Sequence, residues 1–526
     1  MNKIRLIILA NSKQDNFQIN YIINNLGFKN IFLTILYSND RSYIKQSFFY
    51  KILLKLIFVI ENKFINLSTS IVIKKNTFIN KQKILFDKYA ANQLIKKKNY
   101  KNLADVIIDL GNHNVNYNFL KKIKYGIWNL NYDVADNFYA GFYDCLFNKK
   151  ITITHLIKKV FLNNKIITTC IDVSYLNNKI NFWLRNRQFI IDKSTNLISK
   201  NLNRIFYNLK FNNNNKSNLK EKLFEIKFKH LFFYFIKKYL LYFLNRINFL
   251  KKKKVSLWSL HIYNYSKNFI SNNKINIKKS TKIESPKDAE WADPFIFSYK
   301  NKNYVFFENN DLNLNRGKIS FGELHGNDLI NIKDILKFKY HLSYPFIWKS
   351  KNNFYLIPET SEKKSIHIWK AKKFPSQWKY FKTILKNEFC CDTTIIKDKS
   401  NNNWLLTNKS NDSSNDPNNE LYVYKIIGNF RKLIPHKLNP VITDCRTARN
   451  AGKLLIPNKL FRPSQINDST GYGIGLNINN IDKLNLDSYK ERTVKRIFPY
   501  KIPNTDGLHH INNSDKHIVF DVRYII

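Results

Sequence analysis

The stretch EWADPFIFSYKNKNYVFFEN, residues 290–309, has the pattern of a β-hairpin. Asp293 precedes a proline, an apolar run follows, and after a polar turn a second apolar run ends at Glu308. Two apolar runs separated by a polar turn are typical of paired antiparallel strands. Because the same arrangement returns four times later in the chain, this hairpin is one unit of a repeat.

The five units begin at residues that lie 51, 48, 57 and 57 positions apart. Their opening residues are Asp293, Tyr344, Asp392, Arg449 and Asp506. The residues that close their second strands are Glu308, Glu359, Asn408, Gln465 and Asp521. A third strand follows in the first four units, with the sequences GKISFGEL, SIHIWKA, ELYVYKI and GYGIGLNI. Five meanders of about 50 residues predict an all-β five-bladed propeller over residues 256–526. The segment SLWSLHIYNYS (256–266) is expected to close the ring.

The geometry of a propeller brings the polar ends of these strands to one face. The first strand of each blade lies nearest the axis and the second runs back antiparallel, so we expect two polar rings around the mouth of the channel. Carboxylates, an arginine and aromatic side chains suit a sugar ligand, and glycoside chemistry needs two carboxyl groups. The predicted catalytic residues are Asp293, Asp392 and Glu359. The predicted substrate-binding residues are Trp291, Glu308, Tyr344, Arg449, Gln465, Asp506 and Asp521, with Trp348 as a further stacking face. Alternatively, polar strand ends only cap loops and keep the channel wet.

The motifs WADPFIF, YVFFE, SYPFI, YLIPET, DTTII, RPSQ and DGLHHI resemble the five-bladed propellers of the arabinanase, levansucrase and invertase clan. They are more similar still to the N-terminal domain of plant glucosamine inositolphosphorylceramide transferases and related bacterial proteins. In the hydrolase clan, the resemblance implies catalytic Asp residues on blades one and three, which match Asp293 and Asp392, and a Glu on blade four. Blade four has Arg449 and Gln465 instead. The resemblance therefore implies association with sugars more than a defined reaction.

Residues 1–205 alternate short apolar runs with amphipathic stretches, which predicts an α/β domain with a mostly parallel sheet. Residues 206–255 are expected to form a polar linker and an amphipathic helix. The segments ADVIIDLGN (104–112), YGIWNLNYDVADNFYAGFYD (125–144) and ITITHLIKK (151–159) resemble formyltransferase-like domains. That family carries a His pair where this chain has Asn131 and Tyr132, so the resemblance implies a degenerate site. Its remnants are Asn112, His113, Asn131 and Asp133, with Asp136 as a second replacement carboxylate, and formyl-tetrahydrofolate is a cofactor only if the site is active.

Composition leaves the chain's partners open. The formal charge is +50, from 88 basic and 38 acidic residues, which suits nucleic acid or an anionic membrane. An A/T-rich genome explains the same excess of Lys and Asn, and the lysines are scattered, so we expect no nucleic acid partner and leave peripheral membrane contact open. The five cysteines form no CxxC pair, which favours a reducing compartment, predicted to be the cytoplasm. We expect no metal site.

These patterns predict a carbohydrate-associated protein of bacterial glycan or surface-polysaccharide biosynthesis. A sugar or nucleotide-sugar would enter a propeller funnel, next in sequence to a degenerate formyltransferase-like domain. Two alternatives stay open: a non-catalytic binding scaffold, and a glycoside hydrolase-like enzyme that uses the propeller carboxylates.

Overall fold

The computed structural model describes residues 4–11, 18–19, 22–23, 31–38, 47–64, 81–82, 104–111, 121, 123–134, 137–179, 182–211, 224–240, 256–264, 277–410 and 416–526. The chain divides into two compact units, Met1–Leu250 and Lys251–Ile526. Among the described residues, no helix combines the length and the apolar character that are needed to span a bilayer.

The first unit is built on one seven-stranded sheet. Its strands are β1 (Ile4–Asn11), β2 (Ile31–Ser38), β3 (Lys81–Gln82), β4 (Val106–Asp109), β5 (Ile127–Asn131), β6 (Ile151–Leu162) and β7 (Lys165–Asn177). They lie in the order β3-β2-β1-β4-β5-β6-β7. The first five are parallel, whereas β6 and β7 pair antiparallel. Apolar runs such as VIID in β4 are buried on both faces, as parallel strands covered by helices require.

Four α-helices of this unit are described. They are α1 (Phe48–Phe64), α2 (Phe142–Leu146), α3 (Trp183–Phe206) and α4 (Phe228–Phe235), and α4 continues as a π-helical turn, Ile236–Leu240. The amphipathic helix predicted near 223–250 is described from 228 to 240; its remaining residues to 250 lie outside the described part. Helix α1 packs against α4, and buried residues of both belong to one apolar core.

A buried carboxylate joins three of these helices. Glu61 of α1 accepts hydrogen bonds from the backbone N–H groups of Trp183 and Leu184, at 3.2 and 2.7 Å, where α3 begins. It also accepts from the hydroxyls of Tyr234 and Tyr239, at 2.5 and 2.9 Å. Burial raises the pKa of Glu61, and these donors oppose the rise. A carboxylate at a helix N-terminus satisfies N–H groups that have no partner within the helix.

The second unit begins with β8 (Ser256–Asn264) and β9 (Thr281–Ile283). Blade one then consists of β10 (Ala289–Tyr299), β11 (Lys302–Asp311), β12 (Arg316–His325) and β13 (Asp328–Leu336). Blade two consists of β14 (Ser343–Ser350), β15 (Asn353–Glu359), β16 (Ile366–Lys373) and β17 (Gln377–Ile384). Blade three consists of β18 (Phe389–Lys397), β19 (Asn403–Ser410), β20 (Glu420–Ile427) and β21 (Lys432–Pro435), with the short β22 (Ile442–Thr443) on β20.

Blade four consists of β23 (Gly452–Ile456), β24 (Lys459–Asp468), β25 (Gly471–Leu484) and β26 (Tyr489–Ile497). Blade five contains β27 (Thr505–Gly507), β28 (Ile511–Asn513) and β29 (His517–Ile525), and it is completed by β8 and β9. Strand β8 pairs antiparallel with β29 along its whole length, so the segment predicted to close the ring does so. The innermost strands β10, β14, β18, β23 and β28 contact one another in cyclic order. The predicted five-bladed propeller is confirmed by this strand order.

Candidate functional site

A β-bulge begins the innermost strand in blades one, two and three. The pairing of β10 with β11 skips Asp293, and the same shift occurs at Tyr344 and Asp392. These three residues have φ angles of 51°, 48° and 47°. The left-handed region is uncommon for residues other than glycine, and such strain persists where surrounding contacts hold it, often at functional sites. The sequence repeat therefore has a backbone counterpart at the mouth of the channel.

The fifth anchor differs from the prediction. Asp506 lies on the short strand β27, which pairs with β29 on the edge opposite β8, the same edge that β28 pairs with. Its exposed carboxylate accepts from Arg523 Nε at 2.6 Å. The innermost strand of blade five is β28, and the residues that precede it are His509 and His510. The inner edge of blade five thus consists of two short strands, and the residues between them, His509 and His510, contact Asp293, whereas Asp506 pairs with Arg523. The role of Asp506 in binding stays a prediction.

Asp293 is buried and surrounded by donors. Its Oδ2 accepts from the Tyr344 N–H at 3.1 Å, and its Oδ1 lies 3.5 Å from His509 Nε2 and 3.2 Å from His510 Nδ1. Burial would raise the pKa of Asp293, but the two histidines and Arg449 outweigh it and lower the pKa to about 2. Asp293 is therefore ionised and committed to contacts with its neighbours.

Asp521 anchors the other side of His509. Its carboxylate accepts from the backbone N–H groups of Asp293, His509 and His510, at 3.0, 3.1 and 2.9 Å. Its Oδ1 also lies 2.8 Å from His509 Nδ1. Burial would lower the pKa of His509, but Asp521 and Asp293 raise it to about 9. Asp521 thus holds the closing blade to blade one, and its predicted role in binding substrate is wrong because its oxygens face the protein.

One cluster of potential metal ligands is formed by Asp293, His509 and Asp521. Each residue contributes one ligand atom, and these three atoms lie within 4.8 Å of one another. Neither Asp293 nor Asp521 is near His509 in the sequence, and the fold brings both carboxylates to its ring. Their ligand atoms are already engaged in pairing the histidine with both carboxylates, and a cationic imidazole does not bind a metal ion. The chemistry of this cluster favours a buried ion pair, Asp521–His509–Asp293.

The part of the mouth that retains binding capacity centres on Asp392. Its Oδ2 accepts from Arg449 Nε at 2.6 Å and from Gln465 Nε2 at 3.3 Å. Among the described residues, neither Asp392 Oδ1 nor the buried Gln465 Oε1 has a hydrogen-bond partner. Burial raises the pKa of Asp392 to about 7; Glu359 and Asp293 add to the rise and Arg449 opposes it. This set therefore has two unused acceptor oxygens beside a guanidinium, on side chains that are themselves buried, 2% exposed for Asp392 and 1% for Gln465.

Arg449 is held in place from three directions. Besides Asp392, it donates from Nη1 to Asn418 Oδ1 at 2.9 Å, and its guanidinium carbon lies 5.2 Å from the centre of the Tyr472 ring. Tyr472 in turn lies near Trp258, with ring centres 6.2 Å apart. Tyr472 is 38% exposed, so an aromatic edge reaches solvent next to the arginine. The sequence did not single out Tyr472 or Trp258; both come from strands that were not counted among the ring positions.

Two further predicted carboxylates lie around this set. Glu359 is half-buried and accepts from Ser361 Oγ at 2.7 Å, and its charge contributes to the raised pKa of Asp392. Glu308 lies 3.0 Å from His341 Nε2, and burial raises its pKa. Glu308 raises the pKa of His341 to about 9 against burial, although the Gly317 N–H donates to His341 Nδ1 and so favours the neutral ring. A protonated Nδ1 has no lone pair to accept this hydrogen bond, so the contact with Gly317 requires Nδ1 of His341 to be unprotonated.

The aromatic residues predicted to stack on a sugar are not available to one. Trp291 is buried in an apolar cluster with Phe307, and Trp348 is buried against Tyr355. Tyr344 is fully buried, and its hydroxyl contacts Thr394 Oγ1 and accepts from the Gly452 N–H, at 2.7 and 2.8 Å. These predictions are wrong because the side chains face the contacts between strands and blades and not the channel mouth.

Arg462, within the RPSQ motif, supports the loop that carries Arg449. It is 1% exposed and pairs with Glu491 through two hydrogen bonds of 2.8 and 2.6 Å. It also donates to the backbone oxygens of Thr447 and Ala448, at 2.6 and 3.2 Å. The motif was visible in the sequence, but the role of this arginine depends on a carboxylate two strands later.

The first unit contains a cavity of about 650 Å³ beyond the end of β5. Asp133 lines it together with Tyr143, Asp144, Lys149 and His230. Asp144 lies 3.0 Å from Lys149 Nζ, and Tyr143 Oη lies 3.2 Å from His230 Nδ1. Burial raises the pKa of Asp133, and His155 and Lys149 oppose the rise.

The predicted remnants are only partly described. Asn131 Oδ1 accepts from the Asp133 N–H at 2.7 Å, which makes Asn131 a turn residue. Asn112, His113 and Asp136 lie outside the described residues. His155, which sequence reasoning missed, pairs across from Asn131 in the antiparallel register of β5 and β6. The fold therefore supplies a histidine next to Asp133 that the sequence motif lacks.

Comparison with known proteins agrees with the propeller. The family model for "Glucosamine inositolphosphorylceramide transferase 1, N-terminal" matches residues 251–522. The chain belongs to this family.

Curated proteins of the same name lie among its relatives. The glucosamine inositolphosphorylceramide transferase 1 of Oryza sativa subsp. japonica is 29% identical over 206 residues, which are 38% of this chain and 27% of that protein. The Arabidopsis thaliana protein is 28% identical over 205 residues, 38% of this chain and 26% of its own. The chain thus spans about a quarter of the length of the curated relatives that it matches.

Solved structures with some likeness are glycoside hydrolases. A thermostable family-43 glycoside hydrolase is 15% identical and covers 44% of this chain and 89% of its own, with a TM-score of 0.32. The Cellvibrio cellulosa α-L-arabinanase complexed with arabinohexaose is 13% identical and covers 45% of this chain and 88% of its own, with a TM-score of 0.31. Because these TM-scores are low, the propeller fold is assigned from the strand pairing of this chain and not from the glycoside hydrolase structures.

Proposed function

We propose that the propeller binds a carbohydrate at the channel mouth and holds it without cleaving it, as part of a protein of glycan biosynthesis. The observation that carries this proposal is the Asp392–Arg449–Gln465 set, with two acceptor oxygens left without partners. Sugar hydroxyls donate to such oxygens and accept from a guanidinium. The solvent-reaching edge of Tyr472 adds an apolar contact of the kind that sugar rings use. The name of the curated relatives, glucosamine inositolphosphorylceramide transferase, supports a glycan ligand.

The position of Arg449 supports binding over hydrolysis. In the hydrolase clan, the resemblance assigns blade four a carboxylic acid, whereas this chain places a cation there that is only 15% exposed and is paired with Asp392. Asp293, the match for the first hydrolase carboxylate, has both oxygens in contact with His509, His510 and the Tyr344 N–H. A general base needs an oxygen within hydrogen-bond reach of its proton donor, and this carboxylate is committed elsewhere.

One observation favours hydrolysis as the second candidate. The pKa of Asp293 is lowered to about 2 while that of Asp392 is raised to about 7, and a separated pair of this kind is what an acid and a base require. If the propeller hydrolyses its ligand, Asp392 is the acid, and the rate falls as the pH rises through about 7. Release of reducing ends from a bound glycan, absent in Asp392→Asn, would establish this alternative.

For the first unit, we propose a formyltransferase-like fold that has lost formyl transfer and keeps a small-molecule cavity. Five parallel strands in the order β3-β2-β1-β4-β5 and a cavity beyond the end of β5 support this assignment. Asp133 and Lys149 line the cavity, and His155 lies near enough to Asp133 to oppose the rise in its pKa. Formyl-tetrahydrofolate is its cofactor only if this set is active. A bacterial, cytoplasmic origin for the whole protein stays a prediction.

A glycan array tests the proposal for the propeller. The full chain is applied to an array that includes amino sugars, inositol-phosphate glycans and bacterial polysaccharide fragments. We expect a restricted set of glycans to bind the wild type and to be lost in Asp392→Asn and in Gln465→Met, which removes the free amide oxygen at similar size. Asp482→Asn is the matched control, because Asp482 pairs 3.4 Å from the exposed Arg492 on an outer strand. Absence of any bound glycan, or equal binding by all three variants, would contradict the proposal.

A further inference from the structure

The outer surface of the first unit carries an unusual number of exposed aromatic rings on two adjacent helices. Five phenylalanines of α1 and α4 are between 42% and 72% exposed: Phe48, Phe49, Phe228, Phe232 and Phe233. Ile52, Leu56 and Val59 of α1 are also exposed, as is Ile236 just beyond α4. Exposed apolar patches of this kind mark a binding surface for protein or membrane.

The two helices present these residues on the outer side of the unit. Tyr50, Leu53 and Ile57 of α1, and Leu231 and Tyr234 of α4, are buried in one apolar core. The two helices also contact each other directly, and Glu61 of α1 bonds the hydroxyl of Tyr234. Because both helices turn their buried sides to the same core, their exposed apolar residues face away from it together.

The exposed charges within the two helices have one sign, and Glu225, three residues before α4, is an exposed acid near them in sequence. Lys51, Lys55, Lys227 and Lys229 are exposed beside the phenylalanines. Within α1 and α4 the single acidic residue is Glu61, which is buried and hydrogen-bonded inside the unit. An amphipathic helix with aromatic residues on one side, lysines at its flanks and no exposed acid is suited to the interface of an anionic membrane. An apolar protein partner would explain the exposed phenylalanines but not the exposed lysines beside them, so we favour the anionic membrane.

We propose that α1 and α4 dock the protein on an anionic lipid surface, with the phenylalanines entering the headgroup boundary and the four lysines contacting phosphate. The helices lie in the plane of the interface and do not cross it. This inference is independent of the proposed function of the propeller, and it gives the protein a membrane-surface location at which a lipid-linked glycan is accessible.

Co-sedimentation with vesicles tests the docking. The full chain is mixed with vesicles of phosphatidylcholine alone and with vesicles in which roughly 30% of the lipid is anionic phosphatidylserine. We expect binding to the anionic vesicles that weakens as salt is added, because the lysine contribution is screened. Phe49→Ser/Phe233→Ser should lower the partition coefficient at least tenfold, and Lys51→Gln/Lys229→Gln should lower it about 30-fold on anionic vesicles.

Matched controls separate the surface from general effects. Tyr500→Ser removes an aromatic ring that is 71% exposed on the propeller, and Lys372→Gln/Lys386→Gln removes two exposed lysines there. Both should bind vesicles like the wild type, and all variants should keep the wild-type circular dichroism and melting temperature. The proposal is overturned if the phenylalanine and lysine variants bind as the wild type does. It is also overturned if the wild type does not bind vesicles. In that case, a dimer that the phenylalanine variant dissociates would identify the surface as a contact between copies of the chain. Loss of oligonucleotide binding in the lysine variant would identify it as a nucleic-acid surface.

Discussion

Asp521→Asn is expected to lower the free energy of unfolding of the propeller by about 3–5 kcal/mol, the range for removing one partner of a buried charge pair. The carboxylate accepts from three backbone N–H groups, those of Asp293, His509 and His510, and contacts the His509 ring. An asparagine of the same size keeps one acceptor oxygen but turns an N–H₂ group toward donors. The stability is lost because these contacts hold blade five to blade one.

The pH dependence of this loss has a definite sign. The folded-state pKa of His509 is raised from 6.5 to about 9, so its stabilising contribution is complete below pH 6.5 and is lost as the pH rises through about 9. The difference between the wild type and Asp521→Asn should therefore be largest near pH 6 and shrink above pH 9. Asp293, whose pKa is lowered to about 2, contributes stability that disappears only as the pH falls from 3.8 through about 2.

Urea unfolding followed by tryptophan fluorescence measures this effect, because most of the tryptophans belong to the propeller. Six of the eight lie there: Trp258, Trp291, Trp348, Trp369, Trp378 and Trp404. The other two, Trp128 and Trp183, belong to the first unit. Asp506→Asn is the control on the same blade, because its carboxylate is 42% exposed and pairs with Arg523. We expect the control to lose less than about 1 kcal/mol. Equal losses in both variants, or a loss in Asp521→Asn that grows above pH 9, would contradict the ion-pair assignment.

Arg462→Met is expected to cost a similar amount, about 3–5 kcal/mol, because it leaves the Glu491 carboxylate buried without its cation. It also removes the donors to the backbone oxygens of Thr447 and Ala448, which precede Arg449 in the loop. We therefore expect weaker glycan binding as well as lower stability, although Arg462 is a positioning residue. Unfolding by urea and titration of the array glycan measure the two effects on the same preparation.

The double variant Arg462→Met/Glu491→Leu separates charge from packing. Replacing a buried ion pair by apolar residues of similar volume is often neutral, so the double variant should recover most of the stability that the single variant loses. Arg492→Gln, on the same outer strand, removes an arginine that is 67% exposed and should change the free energy of unfolding by less than about 1 kcal/mol. A double variant no more stable than Arg462→Met would show that the arginine acts through its hydrogen bonds to Thr447, Ala448 and Asn450 and not through its charge pair with Glu491.

The repeat made the propeller predictable, because each blade must place a polar residue where its inner strand begins and apolar residues along its walls. The bulges at Asp293, Tyr344 and Asp392 explain why the anchors stood out: each lies outside the regular pairing of its strand. The closing strand β8 was predictable for the same reason, since it is a strand pattern left over ahead of the first unit.

The errors arose where the sequence period and the strand register differ. Asp506 keeps the spacing of the repeat, but the inner edge of blade five is split into β27 and β28, and His509 and His510 between them take the contacts with Asp293. Trp291 lies two residues before Asp293 and Trp348 four residues after Tyr344, yet both side chains are buried in apolar clusters. The same face of a regular strand would carry each pair, and the bulge at each anchor breaks that regularity. The pairing of Arg462 with Glu491 and the position of His155 opposite Asn131 depend on registers that no local pattern specifies.

The most direct test of glycan binding at the channel mouth is isothermal titration of the strongest array glycan into the wild type and Asp392→Asn, each at pH 5 and pH 8. Because the pKa of Asp392 is raised to about 7, the wild type should bind more tightly at pH 8, where the carboxylate is ionised and accepts from sugar hydroxyls. Loss of a hydrogen bond to a charged group should weaken Asp392→Asn at least tenfold at pH 8 and remove most of the pH dependence. Equal affinity of the two proteins at both pH values would contradict glycan binding at this site.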